Sequence, residues 1–225
     1  MEEKNVTAAE KNKDRTITLI ITDPITKITS KKRYVAVRGG IAWPSATSPG
    51  YFCIIGQEYI KQDPLVDKTE AGRWFLLAEG EGSLLSMARF YREICDRAVQ
   101  MLCRRFYAEL PDDRWECGYL NDLEDVADKC DSSLSVHQGE TAEDYFVQGL
   151  SRIHMAMEED RLPIPDDSIL YSQLRSITVD ELANHPENNF YAITALTHVL
   201  GDFLRFKPKP MEPYRMPPPP DWRAV

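Results

Sequence analysis

A chain of 225 residues, 43% hydrophobic and 28% charged, has room for one large domain or two small ones around a buried core. This composition excludes a collagen, a coiled-coil rod and a disulfide miniprotein, and no run of about 18 apolar residues marks a membrane span. The net charge of −9 is uneven: residues 1–33 carry eight Lys/Arg against five Asp/Glu, residues 206–225 carry four against two, and the stretch 34–205 holds −14. A body of that sign repels phosphate backbones unless cations intervene. It suits divalent metals or a basic partner, and it also keeps a protein soluble.

In chain order, residues 1–15 are polar and charged and are expected to be mobile. They also lack the apolar core of a signal peptide, so secretion is not expected. TITLII at 16–21 reads as a possible strand. RYVAVRGGIAW at 33–43 is a strand ending in glycines, PSATSPG at 44–50 is a turn, YFCIIGQEY at 51–59 is a second strand, and RWFLLAEG at 73–80 is a third. Three strands with short links predict an antiparallel meander. From Ser83 as N-cap, apolar residues recur at spacings of three and four, with Phe106 and Leu110 prolonging the stripe until Pro111. That predicts one long helix over 83–110. WECGYL at 115–120 then reads as a short strand, 121–131 as a helix, 133–138 as a strand, and most of 139–162 as a helix. Further helices are expected at 168–177 and 190–206. The tail 207–225 holds seven of the fifteen prolines and is expected to be extended, partly polyproline II. The order implies a mixed α/β fold whose sheet starts antiparallel and gains strands through helical crossovers. The domain division is an N-terminal extension at 1–32, a domain at 33–206 and the proline-rich tail at 207–225.

Several motifs are missing. There is no G-x-x-x-x-G-K-[ST], no G-x-G-x-x-G, no H-E-x-x-H and no G-x-S-x-G. GEGS at 80–83 could offer backbone N–H groups to an anion, but Glu79 and Glu81 flank it, and helix capping explains the same residues. The five cysteines are odd in number and form no C-x-x-C pair, so a zinc site has little support. Cys95 lies on the long helical stripe as a buried free thiol, and a reducing, cytoplasmic compartment follows. His137, His154 and His198 stand apart from carboxylates at ligand spacing and read as core or surface residues. His185 lies in a turn, HPENN, that precedes the last helix.

The element order resembles the C-terminal nuclease domain of the large terminase subunit of tailed phages, which has the ribonuclease-H-like fold. The resemblance covers about 33–206 and rests on three features. They are the hairpin after GGIA, the long helix at 83–110, and the late block RIHMAMEEDRLPIP…LYSQLRSI leading to the HPENN turn. It implies a DNA-packaging protein whose reaction uses two Mg²⁺ or Mn²⁺ ions held by acids from several elements. The first acid is expected after the Gly-Ile pair, where this chain has Ala42. The second is expected on the strand after the long helix, where Glu116 fits, with Glu109 a weaker candidate. The third is expected at the start of the last helix, where Glu187, Asn188 and Asn189 stand and Asn188 matches by spacing. Glu58, Glu79 or Glu187 could take over lost positions. Each candidate also has a bland reading: Glu116 as an exposed strand residue, Asn188 as an N-cap.

The resemblance therefore implies a catalytically degenerate relative, needing no cofactor and acting through partners: a terminase ATPase, a portal-type phage protein, or DNA, with no membrane. An active Mg²⁺- or Mn²⁺-dependent DNA endonuclease, with Glu116 and Glu187 as catalytic residues and Glu116 as the metal ligand, is the alternative. A non-enzymatic module that docks through the proline-rich tail, with Tyr214 and Trp222, is a third reading.

Overall fold

The computed structural model describes residues 5–22, 26–46, 48–60, 72–110, 118–139, 143–177 and 190–200. Their seven strands form one sheet, organised by a single long strand. The strands are β1 (Asn5–Lys11), β2 (Ile17–Thr22), β3 (Thr29–Ala42), β4 (Gly50–Glu58), β5 (Trp74–Gly82), β6 (Arg105–Ala108) and β7 (Ser135–Gln138). The helices are α1 (Met87–Gln100), α2 (Gly118–Lys129), α3 (Glu143–Glu158), α4 (Ile169–Ser176) and α5 (Tyr191–Leu200), with a 3-10 turn at Leu84–Ser86 before α1.

β3 is long enough to serve two neighbours along one edge. Its first half pairs with β2, Ile17 opposite Tyr34. Its second half pairs in parallel with β6, Gly40 opposite Tyr107. The other edge pairs with β4, and β4 with β5, both antiparallel. β7 lies parallel to β6. The expected antiparallel meander is therefore present, followed by two parallel strands reached through α1 and α2. A bulge between Tyr34 and Ala36 shifts the register and turns Val35 out to solvent.

Each face of the sheet carries a core. On one, Phe90, Tyr91, Ile94, Cys95 and Ala98 of α1 and Leu120 and Leu123 of α2 pack on Ile41, Phe52, Ile54 and Phe106. On the other, Ile153 of α3, Leu170 of α4 and Ile193, Leu196 and Val199 of α5 pack on Tyr51, Cys53, Ile55 and Leu76. β4 lies between both cores and is buried from Gly50 through Gly56, which explains its unbroken apolar run. α5 is buried over eight of its ten residues, in keeping with its apolar sequence. No helix among the described residues is long and apolar enough to cross a membrane.

Three expectations need correction. Residues 5–11, expected to be mobile, form β1, pairing with β2 and closing over α1, where the Gln100 amide donates to the Val6 carbonyl at 2.6 Å. The helix expected to run to 110 stops at Gln100. Leu102 takes a φ of 52°, the Leu102 N–H returns to Val99 and the Cys103 N–H to Ala98, a Schellman closure made without glycine. Phe106 and Leu110 continued the helical spacing by coincidence, and Arg105–Ala108 is a strand. Finally, of the expected strand 115–120, residues 118–120 are the first turn of α2. The tail 207–225 lies outside the described residues.

α2 closes in the same way. The Ser132 N–H reaches the Ala127 carbonyl at 2.9 Å, and Asp131 carries a φ of 52°. An exposed aspartate here combines left-handed backbone with a negative charge at the helix's negative end. Asp131→Gly should therefore stabilise the fold by about 1 kcal/mol. The check is a higher urea midpoint at unchanged slope; a lower midpoint would discard the strain argument.

Candidate functional site

Where β3 and β6 end, the chain opens a cleft of about 660 Å³. Its floor comes from β3. Gly40 lets α5 approach so closely that a Cβ there would lie 1.9 Å from the Ala195 carbonyl oxygen. By strand alternation Ile41 belongs to the α1 core and Ala42 to the α5 core, so it is the methyl of Ala42 that faces α5 at the cleft.

Trp43, the next residue, ties the site together. Its indole N–H donates to the Glu109 carbonyl at 2.9 Å, which joins the ends of β3 and β6. Its ring stacks on Tyr119 of α2, with centroids 5.8 Å apart and planes 23° apart. Leu110 N–H donates to the Gln138 side chain at 3.1 Å, joining the exit of β6 to that of β7. Ser45 and Ser48 close a short turn at the rim, the Ser48 N–H donating to Ser45 Oγ at 3.0 Å.

α5 supplies the opposite wall through Tyr191, Thr194 and His198, one helical face at spacings of three and four. Its first turn is held by the buried Gln173 side chain, whose oxygen accepts the Ala192 N–H at 2.9 Å. The Tyr191 hydroxyl donates to the Glu81 carboxylate. Burial and that carboxylate push the Tyr191 phenol up to about 12, so it stays a protonated donor. His198 packs on the backbone beyond β7: a Cβ on Gly139 would lie 2.6 Å from its Nδ1.

Glu109 and Asp122 bring two carboxylates to the cleft, and no Lys or Arg is among its described lining residues. The arrangement favours cations and hydrogen-bond donors and disfavours phosphate. Among the described residues no group of three or more His, Cys, Asp and Glu is placed to hold a metal ion.

The sequence-derived candidates separate clearly. Ala42 lines the cleft, and so does Glu109, the residue that directly follows β6. The strand used to favour Glu116 is not the one that follows the long helix; that strand is β6. Glu116 itself lies outside the described residues, as do Glu187, Asn188, Asn189 and His185. Glu58 pairs with Tyr34, near the middle of β3 and well away from Ala42 at its end. Glu79 is buried on β5 and is committed elsewhere, accepting from the Tyr51 hydroxyl at 2.6 Å and from the Ile169 N–H at 3.0 Å.

Trp43, Tyr119, Asp122, Tyr191, Thr194 and His198 were not selected from the sequence. His198 was read as core or surface; it is buried and also lines the cleft. Only the run following Gly-Ile carried a signal, because it marked where β3 ends. Cys95 is a buried free thiol, as expected, and Cys53 and Cys103 are buried too. Burial pushes Cys53 and Cys95 up to about 12 and Cys103 higher still, so none of the three is a thiolate nucleophile.

No family model and no curated protein sequence matches the chain. Among solved structures it is similar to the crystal structure of the large terminase nuclease from thermophilic phage G20c. The TM-score is 0.50 at 10% sequence identity, covering 86% of this chain and 91% of that one. The chain thus has a mixed α/β fold similar to that of a phage large terminase nuclease.

Proposed function

We propose that the chain is a ribonuclease-H-like domain of the phage DNA-packaging class, with a cleft that no longer supports two-metal cleavage and a role carried out through partners. The strand arrangement supports the fold assignment: β3, β4 and β5 antiparallel, then β6 and β7 added in parallel beside β3 through α1 and α2. The likeness to a large terminase nuclease supports the packaging class. Its partners would be a packaging ATPase or a portal-type protein; residues 1–225 contain no P-loop sequence.

The observation that carries the degenerate reading is Ala42. A carboxylate from the central strand is what a pair of hard cations would need at the end of β3, and a methyl group cannot bind a metal. Mg²⁺ or Mn²⁺ pairs take carboxylate oxygens from three or four elements. The described lining residues bring two carboxylates, Glu109 and Asp122, and an imidazole, His198, which suits softer metals better. This donor set does not fit a metal pair.

The active endonuclease reading draws on one observation. Glu116 lies in the stretch between Leu110 and Gly118, both of which line the cleft, and Glu187 lies shortly before Tyr191, which lines it too. A plasmid-nicking assay with Mn²⁺ separates the two. Supercoiled plasmid should remain intact with the purified chain. Cutting that needs Mn²⁺ and disappears in Glu109→Gln or Glu116→Gln would establish the endonuclease instead.

A further inference from the structure

We propose that the cleft at the ends of β3 and β6 is an internal docking site for the chain's own basic, proline-rich segment 207–215. The proposal rests on the lining and charge of the cleft rather than on the packaging assignment.

The lining selects against a bare ion and for an organic cation. Glu109 and Asp122 supply negative charge, the rings of Trp43, Tyr119 and Tyr191 supply flat apolar area, and Ala42 leaves space where a carboxylate would otherwise stand. Carboxylates beside aromatic rings bind guanidinium and ammonium groups on long aliphatic stems, through charge-assisted hydrogen bonds and cation–π contact. The −14 held between residues 34 and 205 adds a favourable long-range field for a basic segment.

The chain carries such a segment close at hand. KPKPMEPYR, at 207–215, alternates Lys207 and Lys209 with prolines and ends in Tyr214-Arg215, against a single acid, Glu212. It follows α5, whose Tyr191, Thr194 and His198 form one wall of the cleft, and His198 is two residues from the last residue of that helix. The wall from Tyr191 to His198 spans about 10 Å at the rise of an α-helix. Seven residues from Leu200 to Lys207 reach at most about 25 Å when extended. The segment is therefore within reach of the α5 wall of the cleft. Tethering raises the effective concentration of the segment to the millimolar scale. Its prolines reduce the ordering entropy lost on docking.

The test uses the full chain, labelled with ¹⁵N, at low salt. Reversing the segment with Lys207→Glu, Lys209→Glu and Arg215→Glu should shift the Trp43 indole and the Thr194 and His198 amides while leaving the β1 and β2 amides in place. In a Glu109→Gln, Asp122→Asn background the same reversal should produce no such shifts. Identical cleft resonances with native and reversed segments would overturn the proposal. So would shifts that survive loss of both carboxylates, or cleft resonances of the native chain that move with protein concentration, which would assign the occupant to a second copy. None of these outcomes depends on whether the chain nicks DNA.

Discussion

Gly40→Ala should destabilise the fold by about 3 kcal/mol, near the upper end for an overpacked core. The new methyl would lie 1.9 Å from the Ala195 carbonyl oxygen and 2.8 Å from its carbon. These are backbone atoms in the middle of α5, so no rotamer change relieves the clash. The helix must move off β3 as a body, taking Ile193, Leu196 and Val199 out of register with the sheet. Gly39→Ala is the control. Its methyl would meet the Phe106 ring at 2.1 Å, a side chain that can swing away at some cost in packing. Urea denaturation of both variants measures the difference. If Gly40→Ala loses no more than Gly39→Ala, α5 does not sit on β3 as described. The same displacement would widen the cleft, because Tyr191, Thr194 and His198 ride on that helix.

Glu79→Ala is expected to cost a similar amount, about 3 kcal/mol, by a different route. Glu79 is 8% exposed. One oxygen accepts from the Tyr51 hydroxyl at 2.6 Å and, at a longer 3.4 Å, from the Leu170 N–H; the other accepts from the Ile169 N–H at 3.0 Å. The carboxylate thus caps the N-terminus of α4 from a strand 90 residues away, where the helix dipole also favours negative charge. The side chain of Ser168, the local N-cap, accepts the Tyr171 N–H. Alanine would leave buried donors on Tyr51 and α4 with nothing to replace the carboxylate. Burial, the largest cause, pushes the Tyr51 phenol up from its ordinary range and persists in the variant, so ionising does not offset the loss. Tyr51→Phe in the Glu79→Ala background should recover part of the loss by removing one stranded donor. Fully additive losses in that double-mutant cycle would show that the two side chains are not coupled.

The degree to which the site could be read from the sequence follows from these contacts. The glycine pair was visible as the end of a strand, but not as the place where a helix backbone rests. The sequence marks Glu79 as a flank to GEGS and as a possible substitute metal ligand. Its role as a cap for α4 depends on a pairing across 90 residues that no local pattern encodes. Glu109 ranked below Glu116 because the apolar spacing through Phe106 and Leu110 disguised a strand as helix. The turn that separates them lacks the glycine that normally announces a helix end.

Local chemistry settled the three-stranded meander, the buried α1 stripe, the apolar final helix and the charge asymmetry between the ends and the body. Each follows from side-chain periodicity, turn residues or simple counting, all of which act over a few neighbours along the chain. Tertiary packing alone decided that α1 ends at Gln100, that β3 shares one edge between β2 and β6, and that residues from β3, the exit of β6, α2 and α5 meet around one cleft. Those outcomes depend on contacts distant in sequence, where burial against a particular partner outweighs intrinsic preferences worth a fraction of a kcal/mol per residue.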